Sequence, residues 1–331
     1  MEALLLAAAL VLAFANGAND NPKGIATLYG SAQLRYRPAL LLATGAQIAG
    51  SLASVALAGA LVTAFSGKGL VPSDLLSGEL LCSVAFAAAA TVSLATWLGL
   101  PISTTHAIVG ALVGGGAVAA GPTLDLSALG NAFLLPLLLG PLLAVALAFV
   151  FVRSGGSLGA ALGRGRARFR RSDEMGVAGF AIDAMLRSGH LLSATAVCFA
   201  RGLNDTPKIV GLLVGASVVA PATGALLIGA AMALGGWLAA RRVADTLALR
   251  ITPIENGQGL AGNLATSLLV VAASRFGLPV STTHVSTGGI FGIGASGGTL
   301  EGRAAGGILA AWLATLPLAA ALAALLAWLV V

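Results

Sequence analysis

Residues 14–23 read FANGANDNPK, and 185 positions later residues 199–208 read FARGLNDTPK. A second run, LPISTTH at residues 100–106, returns 178 positions later as LPVSTTH at residues 278–284. Both runs are polar, and both carry a proline inside very apolar sequence. Two such motifs that occur twice in the same order are typical of a transporter built from two repeats, with its site near mid-membrane.

The composition indicates a membrane protein. Hydrophobic residues make up 58% of the 331 residues, charged residues make up 9%, and the mean hydropathy is +0.97. A soluble domain carries roughly 25% charged residues, so this chain lacks the polar surface that a soluble domain of its size needs. The long apolar blocks predict an all-α polytopic membrane protein.

The apolar blocks form two sets of five, separated by a Gly-rich basic segment. We assign residues 1–152 to a first membrane repeat, 153–189 to a basic cytoplasmic linker and 190–331 to a second, inverted membrane repeat. The helices that carry the first motif are expected to be broken at 17–23 and 202–208, because proline cannot continue the hydrogen-bond ladder. The blocks fall at residues 2–34, 38–64, 78–98, 102–119 and 128–152, then at 190–218, 222–240, 256–275, 280–297 and 304–331.

The second motif predicts a re-entrant helical hairpin in each half. Blocks 78–98 and 102–119 are separated only by the polar run, which is too short for a loop exposed to water. Non-helical backbone at this depth is tolerated only inside protein or beside a watery cavity. If a hairpin enters and leaves on the same side of the membrane, each half has three helices that cross it. Because three is odd, the second half starts on the opposite side from the first and is inverted. The fold is therefore expected to contain two inverted-topology repeats.

Basic residues give the orientation. We expect the protein in the cytoplasmic membrane of the cell. The positive-inside rule then places the Arg-rich segment in the cytoplasm and both termini outside the cell. The cluster explains the net charge of +6 as a topology anchor that also contacts anionic lipid, so no nucleic-acid partner is expected. The residues on the predicted cytoplasmic side include Arg35, Arg37, Arg153, Arg164, Arg166, Arg168, Arg170, Arg171, Arg241, Arg242, Arg250 and Arg303.

The first motif offers oxygen ligands. Asp20 and Asp205 supply carboxylates, and Asn19 and Asn204 supply neutral oxygens, a set that suits a hard monovalent cation or a proton. The alternative interpretation is a proline-kinked helix whose Asp–Lys pairs neutralise themselves.

The second motif offers hydrogen-bond donors at a helix start, where unpaired N–H groups and the helix dipole favour an anion. The alternative interpretation is simple N-capping, since Ser and Thr are preferred there. The final histidines, His106 and His284, are expected either to hold the tip through a backbone carbonyl or to contact the ligand. The hydroxyl residues of the two runs are Ser103, Thr104, Thr105, Ser281, Thr282 and Thr283.

GAND at 17–20, GLND at 202–205 and the two P-(I/V)-STTH runs resemble the inorganic phosphate transporter (PiT) family over nearly the whole chain. The resemblance implies an inverted-repeat, usually dimeric transporter that imports phosphate with Na⁺ or H⁺ and needs no cofactor. It implies that Asp20 and Asp205 take part in cation coupling, where Na⁺ is possible. It also implies that the six hydroxyl residues of the hairpin tips surround the phosphate.

The chain departs from the family pattern at Lys23 and Lys208, where an asparagine that binds the cation is usual. An ammonium at these positions should repel Na⁺ and can take its place. Alternatively, the lysine binds the anion, or it exchanges a proton when burial lowers its pKa. We therefore expect H⁺ coupling in preference to Na⁺. The large soluble insert that usually separates the halves is also absent from this sequence.

Three other functions fit parts of the pattern. A permease for another oxyanion such as sulfate keeps the same site. An intramembrane lipid-phosphate hydrolase needs an asymmetric catalytic set, whereas both halves carry the same residues. A cation channel or exchanger leaves the hydroxyl hairpins unexplained. We therefore predict a transporter and assign no catalytic residue.

Overall fold

The computed structural model describes residues 1–127, 135–159 and 177–330. These residues contain twelve α-helices and one short 3₁₀ turn, Gly121–Thr123. The helices are α1 (Glu2–Gly30), α2 (Tyr36–Leu57), α3 (Gly59–Ala64), α4 (Gly78–Trp97), α5 (Thr104–Ala120), α6 (Leu135–Gly159), α7 (Val177–Gly215), α8 (Pro221–Ala239), α9 (Arg241–Leu249), α10 (Asn256–Arg275), α11 (Thr282–Gly297) and α12 (Gly302–Val330).

The helices repeat in order, so that α1 to α6 correspond to α7 to α12. Seven helices of the described residues, namely α1, α2, α4, α5 with the 3₁₀ turn, α6, α8 and α12, are long and apolar enough to cross a membrane. That list rests on length and composition and includes both arms of the first hairpin, so the re-entrant character of the hairpins stays a prediction.

Helix packing follows the repeat. The closest pairings come in matched sets: α5 packs on α12 as α11 packs on α6, α2 packs on α7 as α8 packs on α1, and α1 packs on α4 as α7 packs on α10. The two halves are thus interlocked through equivalent surfaces. A large apolar core, formed by residues such as Leu12, Leu80, Val84, Ile108 and Leu212, fills one side of this arrangement.

The two motif helices, α1 and α7, run antiparallel to each other. Thr27 near the end of α1 contacts His190 near the start of α7, whereas Asn16 in the first half of α1 contacts Arg201 further along α7. This equivalent pair of helices therefore points in opposite directions, as the predicted inverted repeat requires.

The predicted breaks at 17–23 and 202–208 are wrong, because α1 and α7 continue through Pro22 and Pro207. A proline removes only one backbone donor and one ladder hydrogen bond, and packed neighbours make such a loss tolerable in membrane helices. The side chains of both motifs bind the hairpin tips instead, as described below.

The predicted boundaries of the linker also change. Helix α6 extends to Gly159 and α7 begins at Val177, so helix covers both edges of the segment 153–189. The arginine cluster at 164–171 lies outside the described residues.

Both hairpins occur where the sequence predicts them, and their tips share one construction. Two residues after the end of α4 lies Gly99 at φ 73°, and two residues after the end of α10 lies the equivalent Gly277 at φ 68°. Glycine adopts this left-handed conformation without strain. The next residue, Leu100 or Leu278, donates its N–H to a carbonyl five residues earlier at 2.8 Å, which closes the helix. The Pro that follows then keeps the chain extended before the second arm begins.

Candidate functional site

The two motif helices bring four predicted charged residues into the interior. Asp20 and Lys23 on α1, and Asp205 and Lys208 on α7, are all at most 2% exposed. Both helices pass the non-helical tips of the hairpins, so each lysine meets backbone and side chains of both tips.

Lys23 lies in a set of oxygen atoms that we call the first lysine site. Its Nζ donates to Asp20 Oδ1 and to Thr283 Oγ1, to Asn19 Oδ1 at 3.2 Å and to the carbonyl of Ile102 at 3.1 Å. The partners thus come from its own helix, from the tip of its own half and from the tip of the other half.

Lys208 lies in the equivalent second lysine site. Its Nζ donates to Asn204 Oδ1, to Asp205 Oδ1 at 3.2 Å, to Thr105 Oγ1 at 2.8 Å and to the carbonyl of Val280 at 2.8 Å. The second site therefore repeats the first, ligand for ligand.

Each lysine site consists of one carboxylate and three neutral oxygens. Such oxygen ligands are those that hard monovalent or divalent cations prefer. The carboxylate, amide and carbonyl oxygens can only accept a hydrogen bond, and each threonine hydroxyl donates its own proton to a tip carbonyl. The geometry therefore suits the ammonium form, whose three N–H groups are shared among the four acceptors. Each ammonium thus occupies the centre of an oxygen site that has the composition of a cation site.

The structure divides the six predicted hydroxyl residues by role. The hydroxyls of Ser103 and Ser281 accept the N–H of the histidine three residues later, each at 3.1 Å, which is the N-cap interpretation. Thr105 and Thr283 accept from the lysines and donate to a carbonyl of the opposite tip, Val280 at 3.3 Å and Ile102 at 2.6 Å.

The remaining two threonines contact the acidic part of the cluster. Thr282 donates to Asp205 Oδ2 at 3.1 Å and lies 3.5 Å from Asp20 Oδ2, so it joins the carboxylates of the two halves. Thr104 accepts from Asn16 at 3.0 Å, and the same amide group donates to Asp20 at 3.0 Å. Thr282 therefore contacts the aspartates directly, and Thr104 is linked to Asp20 through Asn16.

The two predicted supporting histidines meet each other. The ring centroids of His106 and His284 are 4.5 Å apart, and His284 lies 3.9 Å from the ring of Trp312. Trp312 in turn donates to the carbonyl of Pro101 at 3.0 Å. This stack joins the two tips to α12, and sequence reasoning did not anticipate the ring contact. A role of either histidine toward a ligand stays a prediction.

Sequence reasoning also missed Arg201. Its guanidinium is 2% exposed and lies 3.9 Å from Asp205 and 3.1 Å from Asn16. The signal was present in the sequence, because the first motif has Asn16 at the equivalent position and a charge inside an apolar block is unusual. With Arg201, the buried charged residues of the described chain number five and sum to one positive charge.

A further polar network lies on one side of the site only. His190 contacts Asn256 at 3.1 Å and Thr27 at 3.0 Å, and Asn263 donates to Thr27 at 2.9 Å. The equivalent positions of the other half are apolar or glycine: Leu5, Gly78, Leu212 and Ala85. This network therefore departs from the symmetry of the two repeats.

A cleft of about 360 Å³ opens at the surface beside the end of α4. Its lining includes Thr96, which accepts from Asn19 at 2.9 Å, and the exposed Arg241 and Arg242. A hydrogen bond to Asp245 raises the pKa of Arg241 above its ordinary value. The cleft therefore ends beside the first lysine site and has a basic mouth.

Comparison with known proteins identifies the family. Residues 16–158 and 166–323 match the sequence profile of the phosphate transporter family. The chain is 28% identical to a probable low-affinity inorganic phosphate transporter of Mycobacterium leprae, over 99% of the chain and 77% of that protein. It is also 28% identical to one of Rhizobium meliloti, over 97% of the chain and 94% of that protein.

A solved structure titled "The sodium-dependent phosphate transporter" has the same fold. The TM-score is 0.84, the sequence identity is 24%, and the match covers 99% of this chain and 98% of the other. At that identity the likeness concerns the fold. The profile match, which spans most of the chain in both halves, shows that this protein belongs to the phosphate transporter family, a family of transporters and not of enzymes.

Proposed function

We propose that the protein is a secondary transporter that imports inorganic phosphate across the cytoplasmic membrane, coupled to H⁺ and independent of Na⁺. The observation that carries this proposal is the pair of lysine sites, in which an ammonium occupies each oxygen set. The two lysines act as built-in counter-cations for Asp20 and Asp205.

Electrostatics argues against Na⁺ in these sites. A Na⁺ about 4 Å from an ammonium, at an effective dielectric of about 20, meets a repulsion of about 4 kcal/mol, which corresponds to roughly a thousandfold loss of affinity. The lysine Nζ atoms already contact the oxygens that a Na⁺ needs. Na⁺ binding would therefore require both the loss of these bonds and the removal of a charge.

The buried aspartates favour phosphate over sulfate. An ionised carboxylate only accepts hydrogen bonds, and the carboxylates of Asp20 and Asp205 lie beside Thr282 where the two tips meet. Phosphate keeps at least one proton at neutral pH and can donate it to a carboxylate. Sulfate carries no proton, so it would leave two like charges in contact inside the protein.

Inverted topology with both termini outside is the second part of the proposal. Two observations support it. The motif helices α1 and α7 run antiparallel, as equivalent helices of inverted repeats must. Basic residues also concentrate on one predicted side of the membrane.

The experiment is uptake of radiolabelled phosphate by proteoliposomes. At fixed pH, Na⁺ is exchanged for choline, and a pH gradient is then imposed. Phosphate itself changes charge near neutral pH, so the fixed-pH comparison decides the coupling ion. We expect equal uptake in Na⁺ and choline, stimulation by an inwardly directed H⁺ gradient, and no inhibition by excess sulfate.

Each failure has a distinct meaning. Absence of saturable phosphate uptake would refute the proposed substrate. Uptake that stops in choline would refute the proposed role of the lysines. Inhibition by the excess sulfate would favour the general oxyanion permease.

A further inference from the structure

Arg201 is the point at which the two repeats differ within the charged cluster. At the equivalent position the first half has Asn16, whereas the aspartates, lysines and neighbouring asparagines occur in both halves. The guanidinium extends from α7 to α1, where it donates to Asn16 and to Asn21. Its Nε is buried and has no hydrogen-bond partner among the described residues. A strong donor therefore remains unused in the interior, which is costly unless a ligand uses it.

A small cavity adjoins this guanidinium. Its volume is about 10 Å³, enough for about one water molecule, so an oxyanion requires the surrounding side chains to move apart. The polar lining offers donors of every kind: a guanidinium, an ammonium and hydroxyls. The residues that line the cavity are Lys23, Val197, Arg201, Thr266, Val270, Thr282 and Ser286.

Three of the polar residues that line the cavity have no equivalent charged or hydroxyl donor in the other half. The residues equivalent to Thr266 and Ser286 are Ala88 and Ile108, and the residue equivalent to Arg201 is neutral. The donors that distinguish this side are therefore not a consequence of the repeat. They make one of the two equivalent positions suitable for an anion and the other unsuitable.

The net charge of the cluster also favours the binding of an anion. The two carboxylates, two ammonium groups and one guanidinium sum to one positive charge, and an arginine stays protonated in proteins. An isolated positive charge inside the membrane is costly. One monovalent anion would make the cluster neutral, whereas a divalent anion would reverse its sign.

We propose that Arg201 binds the transported anion, and that phosphate enters this one-sided pocket between Arg201 and Lys23 as the monoanion H₂PO₄⁻. This inference rests on the proposed function. Two phosphate oxygens accept from the guanidinium and the ammonium, and Thr282 and Ser286 donate to the same anion. The two phosphate hydroxyls donate toward the carboxylates of Asp20 and Asp205, which a fully deprotonated oxyanion cannot do.

The test is equilibrium binding of radiolabelled phosphate to the purified full-length protein at several pH values. The variants are Arg201→Gln, which removes the charge, and Arg201→Lys, which retains it. Arg250→Gln is the matched control, because it removes one exposed arginine from the end of α9.

For the parent and for Arg250→Gln, we expect a dissociation constant that stays constant with pH when it is expressed as monoanion concentration. We expect Arg201→Gln to bind at least tenfold more weakly at every pH, with Arg201→Lys in between. A purely structural arginine would lower the melting temperature of Arg201→Gln without a tenfold loss of phosphate affinity in the folded protein.

Two results would overturn the inference. One is an Arg201→Gln protein that is monodisperse and binds phosphate within twofold of the parent. The other is a parent whose affinity follows the dianion. If Arg201→Gln does not fold, Ser286→Ala replaces it as the test: a loss of several-fold supports the pocket, and unchanged affinity refutes it. A parent that binds no phosphate would instead refute the proposed function.

Discussion

At the scale of single residues, the contacts of each buried lysine offset the free energy that its removal from water costs. Removing an ammonium from water costs several kcal/mol, and only a counter-charge with further hydrogen bonds offsets it. Lys23 and Lys208 each have one aspartate and three neutral oxygen partners. One of the neutral partners of each lysine is a backbone carbonyl of a hairpin tip. A change in the charge of the lysine would therefore change the bond that holds the tip in place.

Replacing both lysines by asparagine should create a Na⁺ requirement. Lys23→Asn with Lys208→Asn removes the ammonium beside each buried carboxylate, leaves Arg201 as the remaining positive charge of the cluster, and restores the residue that the family pattern usually has. We expect uptake by the double variant to need Na⁺ and uptake by the parent to be indifferent to it, in choline exchange at fixed pH. A double variant that is active and still indifferent to Na⁺ would contradict the role of the lysines.

The serines and threonines of the tips should respond differently to substitution. Ser281→Ala removes an N-cap, so it should lower stability by about 1 kcal/mol with little change in phosphate affinity. Thr282→Val removes the hydroxyl between the aspartates and should weaken phosphate binding roughly tenfold, about 1.4 kcal/mol. Melting temperature and binding are measured on the same detergent-purified samples.

Thr315→Val is the matched control for that pair, because the buried Thr315 hydroxyl donates only to Ala311 of its own helix, at 2.7 Å. It should affect binding little. Equal losses of affinity in the Thr282 and Thr315 variants would mean that the tip hydroxyl has no specific role.

At the scale of elements, close helix contacts depend on glycine. Gly17 on α1 lies against the backbone carbonyl of Met232 on α8, and the equivalent Gly202 on α7 lies against the carbonyl of Gln47 on α2. A methyl group at either position would overlap backbone atoms, which do not move as a flexible side chain does. These two contacts hold the motif helices against the opposite half.

Gly17→Ala and Gly202→Ala should therefore each destabilise the protein, by about 1–3 kcal/mol or more. The control is Gly257→Ala near the start of α10, where an added methyl group meets nothing within 4 Å and helix propensity improves. Thermal unfolding in detergent measures all three. Substitutions at Gly17 and Gly202 that are as harmless as Gly257→Ala would refute the close packing of these helices.

At the scale of the whole molecule, the matched helix pairings relate one half to the other, and they leave the direction of the membrane undefined. The predicted orientation in the membrane rests on the placement of the arginines alone, whereas the antiparallel motif helices support only the inversion of one half relative to the other. Assembly into a homodimer likewise stays a prediction of the family resemblance, which light scattering of the purified protein in detergent checks directly.

Cysteine labelling should place the start of the first hairpin and the start of the second hairpin on opposite sides of the membrane. The native Cys82 and Cys198 are buried and are first replaced by alanine. Single cysteines then replace the exposed Asp74, before α4, and the exposed Glu255, before α10. We expect an impermeant reagent outside the cell to label position 74 and spare position 255. Labelling of both from one side would refute inversion, and the reverse pattern would reverse the orientation.

The sequence by itself determined the membrane class, the repeat, the two hairpins and the residues of both motifs. Those features depend on composition, on proline and glycine placement and on spacing, all of which are local properties of the chain. The tertiary structure alone decided that α1 and α7 continue through Pro22 and Pro207, because packed neighbours make a lost hydrogen bond tolerable. It also decided that each lysine bonds to both tips and that Arg201 joins the cluster, since these contacts link residues up to 260 positions apart. Such contacts depend on how helices cross, which no local pattern encodes.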